Sequence, residues 1–385
     1  LWWILQSPPF IVWNILSLLD TGLWSALVIL LSCGVTVYSV FGNAPLRYAT
    51  YAVLVLLVLA RPEGGGMAAF GVVALTMVEW LRGATVVETL KRGGVVLGIF
   101  ATAMIALCSF RLVYFGYPLP NTYYAKVDGD LSFTVTEGWR YVTGYAATLH
   151  YGTWCAAGLV GASLVAFLIA VVGRIRGSGN CTRYAFSFWG LVIVVGVIAP
   201  VLVGGDHFNW WRFLTPYYLP VGIGLLLCVI LLVPARLAPA GQTLLLLPLL
   251  VGIGAFQRTP EGVRWSDFPS GRGLQNQFGI ALEGREVGAH LNEIFRRYPT
   301  PPEVGALAVG GIGVRYEGPV YDLLALNNVA MAHASSDRKS FVRSHAAFNA
   351  EVFLRDKPAF LFFIADYCDL AAPQKVLEVV GFYAC

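Results

Sequence analysis

Charged residues are scarce in this chain. They make up 12% of its 385 residues, whereas hydrophobic residues make up 57% and the mean hydropathy is +0.68. A soluble domain of ordinary composition carries about 25% charged residues. The composition therefore excludes an ordinary soluble protein and indicates a membrane protein. The net charge is only +4 and no basic face with interleaved aromatics is present, which argues against nucleic acid as a partner.

Cysteine patterns typical of metal sites are also missing. The seven cysteines form no CxxC pair and have no histidine at metal-ligand spacing, so no metal site is predicted. Most lie in or beside apolar runs, where a cysteine is expected to be a small buried hydrophobe. Cys368 and Cys385 alone are placed to form a disulfide, and that alternative stays open. The chain lacks an initiator Met and opens within "LWWILQSPPF", which predicts a fragment in which no signal peptide is readable.

Long apolar runs are what the chain has in abundance. About 20 consecutive apolar residues in a helix cross a bilayer, and eight runs near this length are predicted to do so: 22–41, 46–60, 64–80, 93–115, 151–173, 184–203, 214–235 and 242–256. After residue 257 the sequence becomes polar. The predicted fold class is therefore mainly α, with a polytopic transmembrane helical bundle over 1–256 and a small extracytoplasmic α/β domain over 257–385.

Two kinds of element are predicted in that second domain. The stretch "EGREVGAHLNEIFRR" (283–297) has the apolar spacing of an amphipathic helix. The apolar stretches "EVGALAVGGIGVRYEG" (303–318) and "KPAFLFFIA" (357–365) are typical of buried strands. A domain of about 125 residues is long enough to bury its own core.

The distribution of Lys and Arg predicts the orientation in the membrane, because cytoplasmic loops are enriched in these residues. They fall in alternate connections, at Arg47, Arg82, Lys91, Arg92, Arg174, Arg176, Arg183 and Arg236. The other connections then face outward: the segment before residue 22, "ARPEG" (60–64), the long loop 116–150, and "GGDHFNWWRF" (204–213). Every polar cluster that suggests chemistry is thus predicted on the extracytoplasmic face of the cytoplasmic membrane.

The first outward cluster contains Asp206, His207 and Arg212 among bulky aromatics. An Arg fork donates two parallel hydrogen bonds and suits a phosphate. Arg212 or His207 is therefore a candidate phosphate ligand, with Asp206 orienting the phosphate or acting on a sugar hydroxyl. A plain ion pair between Asp206 and Arg212 at the headgroup level, beside an interfacial aromatic belt, is the open alternative.

Two further clusters involve short carboxylate motifs. Arg61 and Glu63 lie at the end of a predicted span, where ionisable residues are default functional candidates. Pro62 and the three following glycines are expected to leave backbone amides free for an anion. Asp20 precedes the first predicted span and is a second candidate acid. The structural alternatives are a buried Arg61–Glu63 pair and a helix N-cap at Asp20.

The segment "YFGYPLPNTYYAK" (114–126) is rigid, aromatic and rich in hydrogen-bonding groups. Asn121, Tyr123 and Tyr124 are suited to a sugar face and its hydroxyls, and Lys126 to a phosphate. An interfacial loop that uses its tyrosines only as membrane anchors remains an alternative.

Taken in order, these motifs resemble a known family. The residues from "SPPF" (7–10) to the Asp20–Thr21 pair, "ARPEG" (60–64), "FGYPLPNTYYAK" (115–126) and "GGDHFNWWRFLTP" (204–216) are similar to those of GT-C membrane glycosyltransferases, in particular the arabinofuranosyltransferase-like branch. The resemblance implies a polyprenyl-phosphate sugar as donor, action at the outer face of the cytoplasmic membrane, and an extracytoplasmic α/β domain after the last helix. It also implies catalytic carboxylates that precede residue 1, with Asp20 and Asp206 as substitutes within this chain.

The predicted function is transfer of arabinofuranose, or another pentose or hexose, from that donor to a cell-envelope glycan or an exported acceptor. A carboxylate near a sugar hydroxyl and cations near the leaving phosphate are what such a reaction needs. No cofactor beyond the lipid-linked donor is predicted, and a divalent metal is left undecided. The alternative is a non-catalytic scaffold or lipid-glycan binding protein. A transporter is disfavoured because the span interiors carry almost no charge.

Overall fold

The computed structural model describes residues 8–17, 19–127, 130–148, 151–178, 180–206, 211–232, 272–335 and 347–362. These residues form fourteen α-helices, a π-helical and a 3₁₀-helical segment, and one three-stranded sheet. The prediction of a mainly α fold with a small α/β portion is confirmed at this level. The chain divides into two compact units. The first comprises Leu1–Pro118, Gly138–Leu202 and Trp210–Arg264; the second comprises Leu119–Glu137, Val203–Asn209 and Trp265–Cys385.

The helices begin with α1 (Pro8–Ile11) and a π-helical turn (Val12–Leu16). They continue with α2 (Asp20–Phe41), α3 (Ala44–Ala60), α4 (Gly64–Leu81), α5 (Val86–Phe115), α6 (Asn121–Lys126), α7 (Leu131–Thr148), α8 (Tyr151–Ile175), α9 (Cys181–Val203), the 3₁₀ segment Thr215–Tyr217 and α10 (Tyr218–Leu232). The rest of the chain supplies α11 (Arg272–Ile294), β1 (Val304–Ala306), α12 (Val309–Arg315), β2 (Val320–Asp322), α13 (Val329–His333), α14 (Ala350–Asp356) and β3 (Phe360–Phe362).

Five of the helices are long and apolar enough to cross a membrane: α2, α4, α5, residues Thr153–Ile175 of α8, and α9. Two other predicted spans correspond to shorter apolar helices, Ala44–Ala60 and Thr215–Cys228. The eighth predicted span, 242–256, lies outside the described residues, as do the predicted domain boundary near 256 and the cysteines Cys368 and Cys385. Several long apolar helices are what a multi-pass membrane protein requires.

Local sequence signals explain where these helices begin and end. Helix α5 opens with a capping box, in which the Thr85 hydroxyl accepts from the Glu88 backbone N–H and the Glu88 carboxylate accepts from the Thr85 N–H. Helices α2 and α5 stop at Gly42 and Gly116, which adopt φ values of 68° and 78° that favour glycine. After α9, Gly204 and Gly205 turn the chain with φ near 80°.

Helices α2, α3 and α4 run antiparallel and pack on one another through a shared apolar core. At the α3–α4 turn a Cβ on Gly64 would lie 1.8 Å from the Leu57 carbonyl oxygen, so this turn requires glycine. Helix α9 packs against the same group, with its Trp189 indole donating to the Thr36 hydroxyl. The chain therefore brings the start of α2, the end of α3 and the start of α4 to one end of this bundle.

The second unit contains a parallel sheet of order β2-β1-β3. Its predicted helix at 283–297 is confirmed, although α11 begins earlier, at Arg272. The prediction of one strand over 303–318 is wrong beyond Ala306, because Val309–Arg315 is helical. Glycine explains the difference: a Cβ on Gly311 would lie 2.3 Å from the Ala281 carbonyl oxygen, so α12 contacts the backbone of α11 where a larger residue cannot fit.

The predicted loop 116–150 is also largely helical, since it contains α6 and α7. Helix α7 interleaves aromatic residues with polar and charged ones, including Glu137 and Arg140, and it is not among the helices apolar enough to span a membrane. Residues 119–137 belong to the second unit, whereas the rest of α7 belongs to the first. The segment that the sequence presents as one outward loop is thus shared between the two units.

Asp322 organises the turn that follows β2. It is 4% exposed, and its carboxylate accepts hydrogen bonds from the backbone N–H groups of Leu324 and Asn327, both at 2.8 Å. Burial raises the pKa of this carboxyl, and the two N–H donors act in the opposite direction.

We expect Asp322→Ala to lower the free energy of unfolding of the second unit by about 1–3 kcal/mol, because buried N–H donors lose their acceptor. Proteolysis of the full chain in detergent at increasing urea, with cleavage sites in 304–335 read by mass spectrometry, measures this. Glu317→Ala is the control, since Glu317 is an exposed acid in the same region. Equal losses for the two variants would contradict the role of Asp322.

Candidate functional site

Three of the predicted site residues meet at the end of the first unit where α2 and α4 begin. Asp20 is the first residue of α2, Arg61 follows α3 directly, and Glu63 precedes α4. Because the three helices alternate in direction, residues that lie 41 positions apart in sequence become neighbours. We call the arrangement of Asp20, Arg61, Glu63, Arg212 and Phe213 the Arg61 site.

Arg61 is the centre of this site. Its side chain is 6% exposed; its Nε donates to Glu63 Oε1 at 2.6 Å, and its Nη1 donates to Asp20 Oδ1 at 3.4 Å. The Asp20 side chain is 47% exposed and that of Glu63 is 24% exposed. A buried guanidinium is thus held between two carboxylates. Of the two, Asp20 is the more exposed at the protein surface.

Phe213 brings a second guanidinium to the same place. The Cζ atom of Arg61 lies 5.0 Å from the centre of the Phe213 ring, and the Cζ atom of Arg212 lies 5.2 Å from it. The two guanidinium carbons are therefore no more than about 10 Å apart. Cations over an aromatic face are attracted by its negative quadrupole. The predicted clusters around Asp20, Arg61 and Arg212 consequently form one site in the structure.

The segment that carries Arg212 and Phe213 is held by a tight turn. Trp211 adopts a φ of 49°, which is unusual for a residue with a side chain, and its carbonyl accepts from the Leu214 N–H at 2.9 Å. The Thr215 hydroxyl donates to the Arg212 carbonyl at 3.0 Å and accepts from the Asn14 amide at 3.1 Å. These hydrogen bonds link the turn to Asn14 in the π-helical segment. They hold the Arg212 backbone in place independently of the contacts of its side chain.

Aromatic hydrogen bonds support the other side of the site. The Trp24 indole N–H donates to the Tyr217 hydroxyl at 3.3 Å, and the Arg61 Cζ atom lies 5.9 Å from the Trp24 ring. Both aromatic side chains are buried, and they line this side of the Arg61 site. The sequence motifs do not point to Trp24 or Tyr217. The signal for Trp24 is its position one helical turn after Asp20, on the same face of α2.

Two local expectations about this site are not met. Asp20 is not an N-cap, because Leu19 occupies that position without a side-chain bond and Asp20 pairs with Arg61 instead. The glycines after Pro62 are not a set of free amides either. The N–H of Gly64 donates to the Arg61 carbonyl at 2.9 Å, and the N–H of Gly66 donates to the Glu63 carbonyl at 3.1 Å. These two amides close the turn between α3 and α4.

The predicted residues of the 114–126 segment lie in the second unit. The Asn121 amide donates to the carbonyls of Ala325 and Leu326, at 2.9 and 3.0 Å. The Tyr124 ring lies 4.1 Å from the His333 ring, measured between centroids. Ala125 is fully buried in the same apolar cluster. Asn121 and Tyr124 thus attach α6 to the turn after β2 and to α13.

The remaining predicted residues of these motifs are Tyr123, Lys126, Asp206 and His207. Tyr123 is the more exposed of the paired tyrosines, and its ring meets that of Tyr124 edge-on at 5.6 Å between centroids. Lys126 ends α6 and is half-buried. Asp206 is half-buried in the second unit. His207 lies outside the described residues.

Another carboxylate, which the sequence motifs do not single out, lies at the opposite end of α4. Glu79 is 3% exposed and accepts hydrogen bonds from Arg47 and Arg92. Its signal in the sequence is a single acid inside the apolar run 64–80, since an ionisable residue in such a run normally has a specific partner. Glu79 lies 16 residues after Glu63, which is about 24 Å along α4 from the Arg61 site.

Within the described parts of the chain, no group of three or more His, Cys, Asp and Glu side chains is arranged to hold a metal ion. The Arg61 site contains two carboxylates, but the guanidinium between them occupies the place that a cation would take. Comparison with protein-family models, with curated proteins and with solved structures yields no match to this chain.

Proposed function

We propose that the protein is a membrane glycosyltransferase of the GT-C type, which transfers a sugar from a polyprenyl-phosphate donor at the Arg61 site. The observation that carries the proposal is the meeting of two carboxylates and two guanidiniums around Phe213, at the end of apolar helices. Glycosyl transfer from a lipid phosphate needs both kinds of group close together. A site at the end of the helices lets the prenyl chain stay in the bilayer while its head reaches the protein.

The cations serve the leaving phosphate. When the acceptor oxygen bonds to the anomeric carbon, the bond between that carbon and the phosphate oxygen breaks, and the electron pair leaves with the phosphate. Negative charge develops there, and a fixed cation near it stabilises the transition state. Arg212 is the proposed phosphate ligand. Arg61 is a positioning residue, because its N–H groups already hold Asp20 and Glu63.

Asp20 is the proposed base, which takes the proton of the acceptor hydroxyl. Its carboxylate is held on one side by Arg61, and about half of its side chain is exposed. The sequence motifs favour Asp206 first among the candidate acids. We favour Asp20 instead, because its carboxylate pairs with Arg61 and its side chain is 47% exposed.

The pattern of basic connections supports a site on the outer face of the cytoplasmic membrane. Arg47, Arg82, Lys91 and Arg92 lie at the end of α3–α5 away from the Arg61 site. The acceptor on that face would be a cell-envelope glycan or an exported molecule, as the resemblance implies, with arabinofuranose or another pentose or hexose as the sugar.

One observation favours a second candidate, a non-catalytic lipid-glycan binding protein. Arg61 is paired with two carboxylates, which is also what a purely structural ion pair would look like. The two functions differ in one measurable respect. An enzyme releases the polyprenyl phosphate from the sugar, whereas a binding protein retains the intact donor.

We expect Arg212→Ala to reduce sugar transfer by about 10²–10³-fold, the usual cost of removing one group that stabilises developing negative charge. The measurement is release of radiolabelled sugar from a polyprenyl-phosphate donor by the full chain reconstituted in liposomes. Arg212→Lys keeps the charge without the fork and should retain part of the activity. Arg183→Ala is the matched control, because Arg183 is exposed near the opposite end of α9.

Membrane insertion of each variant is checked by its yield in the liposome fraction. Wild-type transfer by an inserted Arg212→Ala variant would remove Arg212 from the phosphate role. If the wild-type chain binds the labelled donor but never releases polyprenyl phosphate, the binding protein is the correct interpretation.

A further inference from the structure

The end of α4 opposite to the Arg61 site carries a second charged group, which we call the Glu79 cluster: Tyr38, Arg47, Glu79, Arg82 and Arg92. The Glu79 carboxylate accepts from Arg92 Nη1 at 2.6 Å, from Arg47 Nη1 at 3.2 Å and from the Tyr38 hydroxyl. The Arg47 and Arg82 Cζ atoms each lie 5.9 Å from the Tyr38 ring centre. Two guanidiniums thus contact one buried carboxylate, and a third lies over the same tyrosine ring, so the cluster keeps an excess of positive charge.

Arg82 of this cluster and the neighbouring Arg174 bond to backbone carbonyls. Arg82 Nη1 donates to the Ser39 carbonyl at 3.0 Å, and Arg174 Nε donates to the Trp80 carbonyl at 2.7 Å. Both bonds satisfy carbonyls at the C-terminal ends of α2 and α4, where a positive charge is favoured. These two arginines therefore have a structural role that does not neutralise them.

Lys91 and Arg92 lie in the second turn of α5, one turn after Glu88, whose carboxylate attracts Arg92. Lys91 is exposed, and its side chain makes no hydrogen bond or ion pair among the described residues. The Arg92 side chain is 50% exposed and uses one nitrogen on Glu79. An Arg carries five N–H donors, so Arg92 has further donors beside the one that contacts Glu79.

Exposed apolar side chains accompany these cations. Val86, Val87 and Leu90 are 64%, 61% and 67% exposed, and all three lie within the first two turns of α5. Cations that neighbour exposed apolar groups at the end of a membrane-spanning helix match a ligand with an anionic head and a hydrocarbon chain. A water-soluble anion has no hydrocarbon chain that could contact Val86, Val87 and Leu90.

We propose that the Glu79 cluster and the first turns of α5 bind the phosphodiester headgroup of an anionic phospholipid. Lys91 and Arg92 contact the phosphate, and Val86, Val87 and Leu90 contact the acyl chains. Basic groups between helices at a membrane surface are known to bind such headgroups. The distance along α4 separates this lipid from the Arg61 site, so it is distinct from the proposed sugar donor.

The test measures phosphatidylglycerol bound to the full chain. The protein is placed in phosphatidylcholine nanodiscs with increasing phosphatidylglycerol, and retained lipid is counted by native mass spectrometry. Lys91→Gln should weaken phosphatidylglycerol binding about fivefold, since one cation near a membrane surface contributes that factor. Lys91→Arg should bind like the wild type. Arg111→Gln is the matched control, because it removes one charge from the same helix, 20 residues further along.

Each result decides the proposal. A loss confined to Lys91→Gln supports it, whereas equal losses for Lys91→Gln and Arg111→Gln would mean a non-specific charge effect and overturn it, as would no loss at all. In a further arm, glycerol 1-phosphate competes with the lipid. Competition at concentrations similar to those of phosphatidylglycerol would show a plain phosphate site and overturn the lipid assignment. None of these outcomes depends on sugar transfer.

Discussion

Replacing Asp20 by asparagine is expected to lower sugar transfer by about 10²–10⁴-fold, the range attributed to a positioned general base. The amide keeps the shape of the side chain and can still accept a bond from Arg61, so the 3.4 Å contact does not have to be lost. It cannot take the proton of an acceptor hydroxyl. Initial rates at saturating labelled polyprenyl-phosphate donor and saturating acceptor separate this effect from changes in donor binding.

Asp20→Glu and Asp206→Asn are the informative companions. The glutamate variant keeps a carboxylate at the start of α2 and should retain measurable transfer. Asp206→Asn should have a smaller effect than Asp20→Asn, because Asp20 is the carboxylate that pairs with Arg61 in the site. A larger loss for Asp206→Asn would indicate that Asp206 is the general base. Wild-type activity of the Asp20→Asn variant would exclude Asp20 from that role.

The second large effect concerns stability. Glu79→Ala should lower the free energy of unfolding by on the order of 2–3 kcal/mol, because removing one partner of a buried pair leaves the other charges uncompensated. The value is below the upper range for fully buried pairs, since Arg47 and Arg92 are 19% and 50% exposed and are partly screened by solvent. Thermal unfolding in detergent, compared between the variant and the wild type, checks the size of the loss.

Graded variants separate charge from hydrogen bonding in the Glu79 cluster. Tyr38→Phe removes one hydroxyl that donates to the carboxylate and should cost only about 0.5–1.5 kcal/mol. Glu88→Ala is the exposed control, although it also removes half of the capping box, and its loss should be smaller than that of Glu79→Ala. A Glu79→Ala loss no larger than that of Tyr38→Phe would mean that the buried charge is unimportant.

The helical character of the chain is predictable because its signals are local. Apolar runs, the Thr85–Glu88 capping box and the glycines at 42 and 116 act within one or two turns of chain. Strand prediction is less successful at 303–318. The apolar run there is typical of a strand. Residues Val309–Arg315 are nevertheless helical, because α11 and α12 pack closely where Gly284 meets Gly311. Such contacts depend on residues that the local pattern does not contain.

The candidate site is predictable in its residues but not in its grouping. Asp20, Arg61 and Arg212 each stand out as ionisable residues at the ends of apolar runs. Asn121 and Tyr124 stand out equally, yet they contact Ala325 and His333 within the second unit. Sequence patterns cannot separate the site residues from the residues that only pack within the second unit. The sequence around a polar loop residue does not indicate which distant residue it will contact.

By itself, the sequence determined that this chain is rich in membrane-length helices and where most of those helices begin and end. Only the tertiary structure decided that Arg61 holds Asp20 and Glu63, that Phe213 joins Arg61 to Arg212, and that Glu79 gathers Arg47 and Arg92. The physical reason is that helix faces toward lipid and toward protein are both apolar here. Hydropathy therefore finds the helices, whereas the packing of their faces selects which charges meet.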